Sequence, residues 1–133
     1  MIVLDEQLLG RDLEDKIARW YQGAVVFITE LRPNSIIKDD AIPHLLHQQS
    51  EPTFVTINER DFWRKIQAHA DYCIVCFALP DPRAREIADR LRELFSLPLL
   101  NTKAQRMGKV IRVSDSGVSY YTASDATVRV VSP

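Results

Sequence analysis

Carboxylates and one amide stand in this sequence where hard cations are commonly held. Asp5 and Glu6 close the apolar run Ile2-Val3-Leu4, Asp39 and Asp40 open a short amphipathic stretch, and Asn58 and Asp61 follow Thr53-Phe54-Val55-Thr56-Ile57. Oxygen donors of this kind suit Mg²⁺ or Mn²⁺, which take a few carboxylates and keep several waters. An ion so held lowers the pKa of a bound water and makes it a nucleophile at neutral pH. Each acid also has a plainer use: Asp39, Asp40 or Asp61 can cap a helix, and Glu6 can simply face water. What separates the two readings is whether the fold delivers the separated segments to one place. Arg11, Arg32, Arg60, Arg64 and Lys65 neighbour these acids along the chain, and twelve of the seventeen cations are arginine. A guanidinium fork grips phosphate in two places, so Arg11, Arg60 and Arg64 are candidates for binding a substrate phosphate.

The elements that must position these side chains alternate in type. Ile2-Val3-Leu4, Ala24 to Ile28, Thr53 to Ile57 and Tyr72 to Leu79 are nearly continuous apolar runs, as strands of a parallel sheet covered on both faces are. Between them, apolar residues at spacings of three and four predict helices over about 8–22, 39–49 and 61–70, with a further one after Asp81-Pro82 running to about Ser96. Lys109 to Val113 and Val118 to Tyr121 flank Ser114-Asp115-Ser116-Gly117 and predict a C-terminal β-hairpin, with a last strand over Thr127 to Val131. The expected fold is therefore α/β, a three-layer α/β/α sandwich with a mostly parallel central sheet. A chain of 133 residues, 46% hydrophobic and 26% charged, makes one domain over 1–133. In an open parallel sheet, ligands bind beyond the carboxyl ends of the strands, and Asp5, Glu6, Asn58 and Asp61 fall there.

Other constellations carry less. A formal charge of −1 argues against a protein that coats nucleic acid through bulk charge. No apolar run reaches the roughly 18 to 20 residues of a membrane span, so no membrane partner is expected. Acids in place of an N-terminal basic region predict a cytoplasmic protein. Four glycines, scattered at positions 10, 23, 108 and 117, form no phosphate loop. Cys73 and Cys76 lie on a strand, where residues three apart face opposite ways, and so read as two reduced core thiols. Asp40, His44 and His47 share a helical face but lack the further ligands of a zinc site. Val118, Tyr120 and Tyr121 predict an adhesive sheet edge and hence a homodimer or another protein partner.

In their order and spacing, Leu4-Asp5-Glu6-x-Leu8, Asp39-x-x-Ile42 and Thr56-x-Asn58-x-x-Asp61-Phe62 resemble the motifs Asp-Glu-x-Leu, Asp-x-x-Ile and Thr-x-Asp-x-Asp-Phe of the PIN-like nucleases. The resemblance is to their compact VapC-type toxin-like subgroup and covers the chain to about Val113. It implies a Mg²⁺- or Mn²⁺-dependent ribonuclease, with an RNA substrate and an antitoxin protein as partner. It carries Asp5, Asp39 and Asp61 over as catalytic, metal-binding carboxylates, with Asn58 as a fourth ligand and Glu6 and Thr56 supporting them from behind. Asn58 stands where the pattern places Asp, one residue further from Asp61. An amide oxygen ligates without charge, so the alternative is a catalytically weakened PIN-like RNA-binding or protein-interaction module.

Overall fold

Strands that bury both faces need apolar side chains on both, and the computed structural model, which describes residues 1–131, pairs those runs side by side. Ile2–Leu4 (β1), Val25–Phe27 (β2), Thr53–Thr56 (β3), Cys73–Phe77 (β4), Lys109–Ser114 (β5), Gly117–Thr122 (β6) and Arg129–Val131 (β7) form one sheet in the order β2-β1-β3-β4-β5-β6-β7. The first five are parallel to their neighbours, with Leu4 level with Phe27 on one side and Val55 on the other. β5 and β6 run antiparallel with Ser114 opposite Gly117, and β6 and β7 are antiparallel too. The fold is thus α/β with a seven-stranded, mostly parallel sheet.

The alternation of side chains along the strands splits the core in two. Ile2, Leu4, Val55, Cys73, Val75, Phe77 and Ile111 face one way, under Leu13 and Ile17 of Leu13–Ala18 (α1) and Ile87, Leu91 and Leu94 of Ile87–Ser96 (α5). Val3, Phe54, Ile74, Cys76 and Val110 face the other way, against Ile28 of Ile28–Leu31 (α2), Ile42, Leu45 and Leu46 of Ile42–His47 (α3) and Phe62 of Glu59–Phe62 (α4). Helices on both faces are compatible with a three-layer sandwich. None of the helices described is long and apolar enough to cross a membrane.

The helices are shorter than periodicity predicts, for local backbone reasons. In the stretch expected to be helical over 8–22, a 3₁₀ turn at Glu6–Leu8 precedes α1, separated from it by Gly10 at φ +79 and Asp12 at φ 56. A left-handed residue cannot continue a right-handed helix. The 39–49 segment is a 3₁₀ turn at Asp39–Ala41 followed by α3, and the 61–70 segment reduces to α4 because Trp63 is extended and Arg64 has φ 62. Asp81 does not cap its helix: Asp81–Glu86 is 3₁₀, and the carboxylate accepts from Arg11 instead. One further turn, Lys103–Arg106 (α6), begins at Thr102, whose hydroxyl and Gln105 form a capping box that the sequence signals.

Cys73 and Cys76 are free, fully buried, and lie in the two opposite cores. Burial pushes the Cys73 thiol up to about 12 and the Cys76 thiol higher still, so neither forms thiolate at neutral pH. The expected adhesive edge is corrected. β7 covers β6, and Tyr121 is buried with its hydroxyl donating to the Ile66 carbonyl.

Candidate functional site

β1 leads to β2 through α1 on one face of the sheet, whereas β2 returns to β3 through α2 and α3 on the other. The connections therefore part between β1 and β3, which is where an open α/β sheet forms its crevice. Asp5 stands at this point. Its N–H donates to the Val55 carbonyl at 2.9 Å, locking it to β3, and its side chain is 4% exposed. Thr56, the last residue of β3 and fully buried, donates its hydroxyl to Asp5 Oδ2 at 2.6 Å. The Thr56 hydroxyl in turn accepts from Asn58 N–H at 2.9 Å.

Asn58 extends this chain to Asp61. Its Oδ1 accepts from Asp61 N–H at 3.2 Å, which makes it the N-cap of α4, and its Nδ2 donates to Asp61 Oδ2 at 2.7 Å. Sequence reading could assign Asn58 as a ligand; the structure shows its oxygen occupied as a cap, with one lone pair left over. Asp39 arrives from the opposite direction, on the 3₁₀ turn before α3. Its carboxyl lies near enough to that of Asp61 for the two to interact, and it feels the charges of Asp5 and Glu6. Glu6 itself is exposed, in the turn that follows β1.

The electrostatics follow from this crowding. Desolvation, then the Asp61 carboxyl, push Asp39 above its ordinary value, whereas the Asn58 amide holds Asp61 below it. The proximity thus drives the two carboxyls apart in pKa, Asp39 upward and Asp61 downward. Burial also raises Asp5, opposed by the Thr56 hydroxyl and the N–H groups of Glu6 and Gln7. A carboxyl whose folded pKa is raised favours the folded state when protonated, and that contribution is lost as pH rises through the folded pKa. Without metal, the Tm of Asp5→Asn relative to wild type is therefore expected to shift in favour of the variant as pH rises from below 3.8, the ordinary value, to neutrality. Calorimetric scans across that range check it, and a difference that stays constant or moves the other way contradicts the buried charge.

Two hollows flank Asp61. One of about 390 Å³ is lined by Asp39, Asp40, Pro43 and Lys65, and another of about 380 Å³ by Gln7, Asn58, Arg60 and Asp81. Arg60 and Lys65 thus stand on the two sides of the acids. Arg11 is already engaged, donating to the Asp81 carboxylate at 2.6 Å and to its carbonyl at 3.1 Å. Arg64 lines a separate hollow with Tyr121 and Asp125, so it is not gathered with the acids. Sequence reading missed Arg112 of β5, which donates to Glu59 at 2.5 Å and ties α4 to the sheet; no local signal joins residues that far apart. It also missed a second cluster. Among the described residues, the set of His, Cys, Asp and Glu whose ligand atoms all lie within 4.8 Å of one another is His47, His69 and Asp71, which could hold a metal ion. The helical triad of Asp40, His44 and His47 does not form: His44 meets Gln48 instead.

The chain is a doubly wound α/β protein with an acidic crevice at the switch point of its parallel strands. Comparison with protein-family models, with curated proteins and with solved structures finds no match.

Proposed function

We propose that the crevice binds Mg²⁺ or Mn²⁺ and that the protein is a metal-dependent ribonuclease of the PIN-like type, acting as the toxin of a toxin–antitoxin pair. The observation that carries this reading is the approach of the Asp39 and Asp61 carboxyls near buried Asp5, with Asp39 raised by desolvation and then by the Asp61 carboxyl. Asp39, Asp61 and Asp5 come from three segments and offer oxygen donors of the type a hard divalent ion takes, although their ligand atoms do not all lie within 4.8 Å of one another. The donor types suit the ion, and the carboxylates would have to close in on it when it binds. When bound, it supplies an activated water and stabilises the leaving oxygen of a phosphodiester.

Asp5, Asp39 and Asp61 hold it in this reading, and a bound cation relieves the repulsion that raises Asp39. Thr56 orients Asp5 through Oδ2, as outer partners of metal ligands do. Arg60 and Lys65, on the two sides of Asp61, receive RNA phosphates. One feature favours the second reading, a weakened module that binds RNA or protein: the Asn58 amide occupies Asp61 Oδ2 and adds no charge.

Calorimetric titration of Mn²⁺ into chelator-treated protein, paired with an RNA cleavage assay, separates the two. The nuclease reading expects wild type to bind and cleave, Asp5→Asn to bind at least about tenfold more weakly, and Asn58→Asp to bind more tightly. Asp keeps the cap while replacing a donor by a charge. Wild-type protein that neither binds Mn²⁺ nor cleaves RNA overturns this reading in favour of the module.

A further inference from the structure

We infer that His47, His69 and Asp71 form a second metal site, for a borderline cation of the Zn²⁺ class, at the opposite end of the sheet from the acidic crevice. His47 ends α3, and His69 and Asp71 lie in the segment entering β4. They meet at the amino ends of β3 and β4, whereas the crevice lies at the carboxyl ends. The inference does not depend on the nuclease reading.

The geometry suits the ion. His47 Nδ1 lies 3.0 Å and His69 Nδ1 3.6 Å from Asp71 Oδ2. Tetrahedral zinc with bonds of ~2.0–2.2 Å sets its ligand atoms about 3.4 Å apart, between those two values. Two imidazoles and one carboxylate are the donor types zinc takes and a hard ion such as Mg²⁺ does not. Three protein ligands leave the fourth position to water.

The donors are also held in place before any ion arrives. The His47 and His69 rings meet edge to face at 4.3 Å, and both rest against Tyr72, at 5.2 and 5.9 Å. Tyr72 is buried, with its hydroxyl donating to the Gln67 carbonyl at 2.7 Å. The Asp71 N–H donates to His69 Nδ1 at 3.1 Å, which leaves that nitrogen unprotonated. A metal takes over this lone pair and displaces the proton through which His47 Nδ1 bonds the Asp71 carboxylate, at the cost of both hydrogen bonds. An ion here clips the end of α3 to the segment leading into β4, adding metal bonds where the His47–Asp71 hydrogen bond and the His47–His69 ring contact already join them. Metal that binds the folded state and not the unfolded chain raises Tm.

The test uses the full chain, treated with chelator and titrated with Co²⁺ and then Zn²⁺. One equivalent of Co²⁺ is expected to give the intense visible absorption of a tetrahedral site with nitrogen ligands, and Zn²⁺ to displace it and raise Tm. His47→Ala, His69→Ala and Asp71→Ala, all at exposed positions, each lower the affinity at least tenfold and remove the Tm increase. His44→Ala leaves both intact. The same signal persists in Asp61→Asn, because the two sites lie at opposite ends of the sheet. Absence of the tetrahedral spectrum in wild type, or an affinity unchanged in His47→Ala and His69→Ala, overturns the proposal.

Discussion

Asp61→Asn is expected to lower Mn²⁺-dependent RNA cleavage about a hundredfold or more, the loss seen when one charge-stabilising group is removed from a preorganised site. Asp61 lines both hollows, interacts with Asp39 and receives the Asn58 amide, so no other carboxylate in the crevice takes its place. The substitution also leaves Asp39 beside a neutral amide in place of an acid. Asp39 then loses the acidic neighbour that helps to raise it and titrates closer to the ordinary carboxylate range. Two measurements check the effect: the rate of cleavage of a structured RNA at saturating Mn²⁺, and the NMR-detected titration of the Asp39 carboxyl. Asp61→Asn that cleaves at the wild-type rate removes Asp61 from the chemistry.

Phe62→Ala is expected to cost about 3–5 kcal/mol of stability, the usual result of truncating a fully buried phenylalanine, and to weaken Mn²⁺ binding at the same time. α4 has four residues and cannot persist as an isolated helix. Three attachments hold it: the Asn58 cap, the Glu59–Arg112 ion pair, and Phe62, which is 1% exposed and packs on Phe54 at 5.5 Å between ring centroids. The ion pair is partly exposed and contributes little. Phe62 is thus the anchor that fixes Asp61 one residue away. Denaturant unfolding gives the stability change, and Mn²⁺ titration below the midpoint gives the coupling. A loss under about 1 kcal/mol would mean that this side chain does not close the core here.

How much of this was legible beforehand differs by element. β1, β3 and β4 were legible because a strand buried on both faces must be apolar throughout, and Phe54, Val55, Ile74 and Val75 are. The helix ends were not. Asp12 and Arg64 adopt left-handed conformations that no apolar period announces, because hydrophobic spacing reports which face is buried and not where the backbone turns. Asp5, Asp39 and Asp61 were marked by their positions after β1, before α3 and after β3. Their order along the chain left open whether Asp39 reaches Asp61.

The amino-acid sequence by itself determined the class of fold, the burial of Cys73 and Cys76, and the placement of acids at strand ends, since each follows from local periodicity and the chemistry of single residues. Only the tertiary structure decided which side chains meet. The doubly wound topology carries α3 over the face opposite α1, which sets Asp39 against Asp61 at one end of the helix and His47 against His69 and Asp71 at the other. A contact between segments distant in sequence depends on the path of the chain between them, and that path is set by the packing of the whole core.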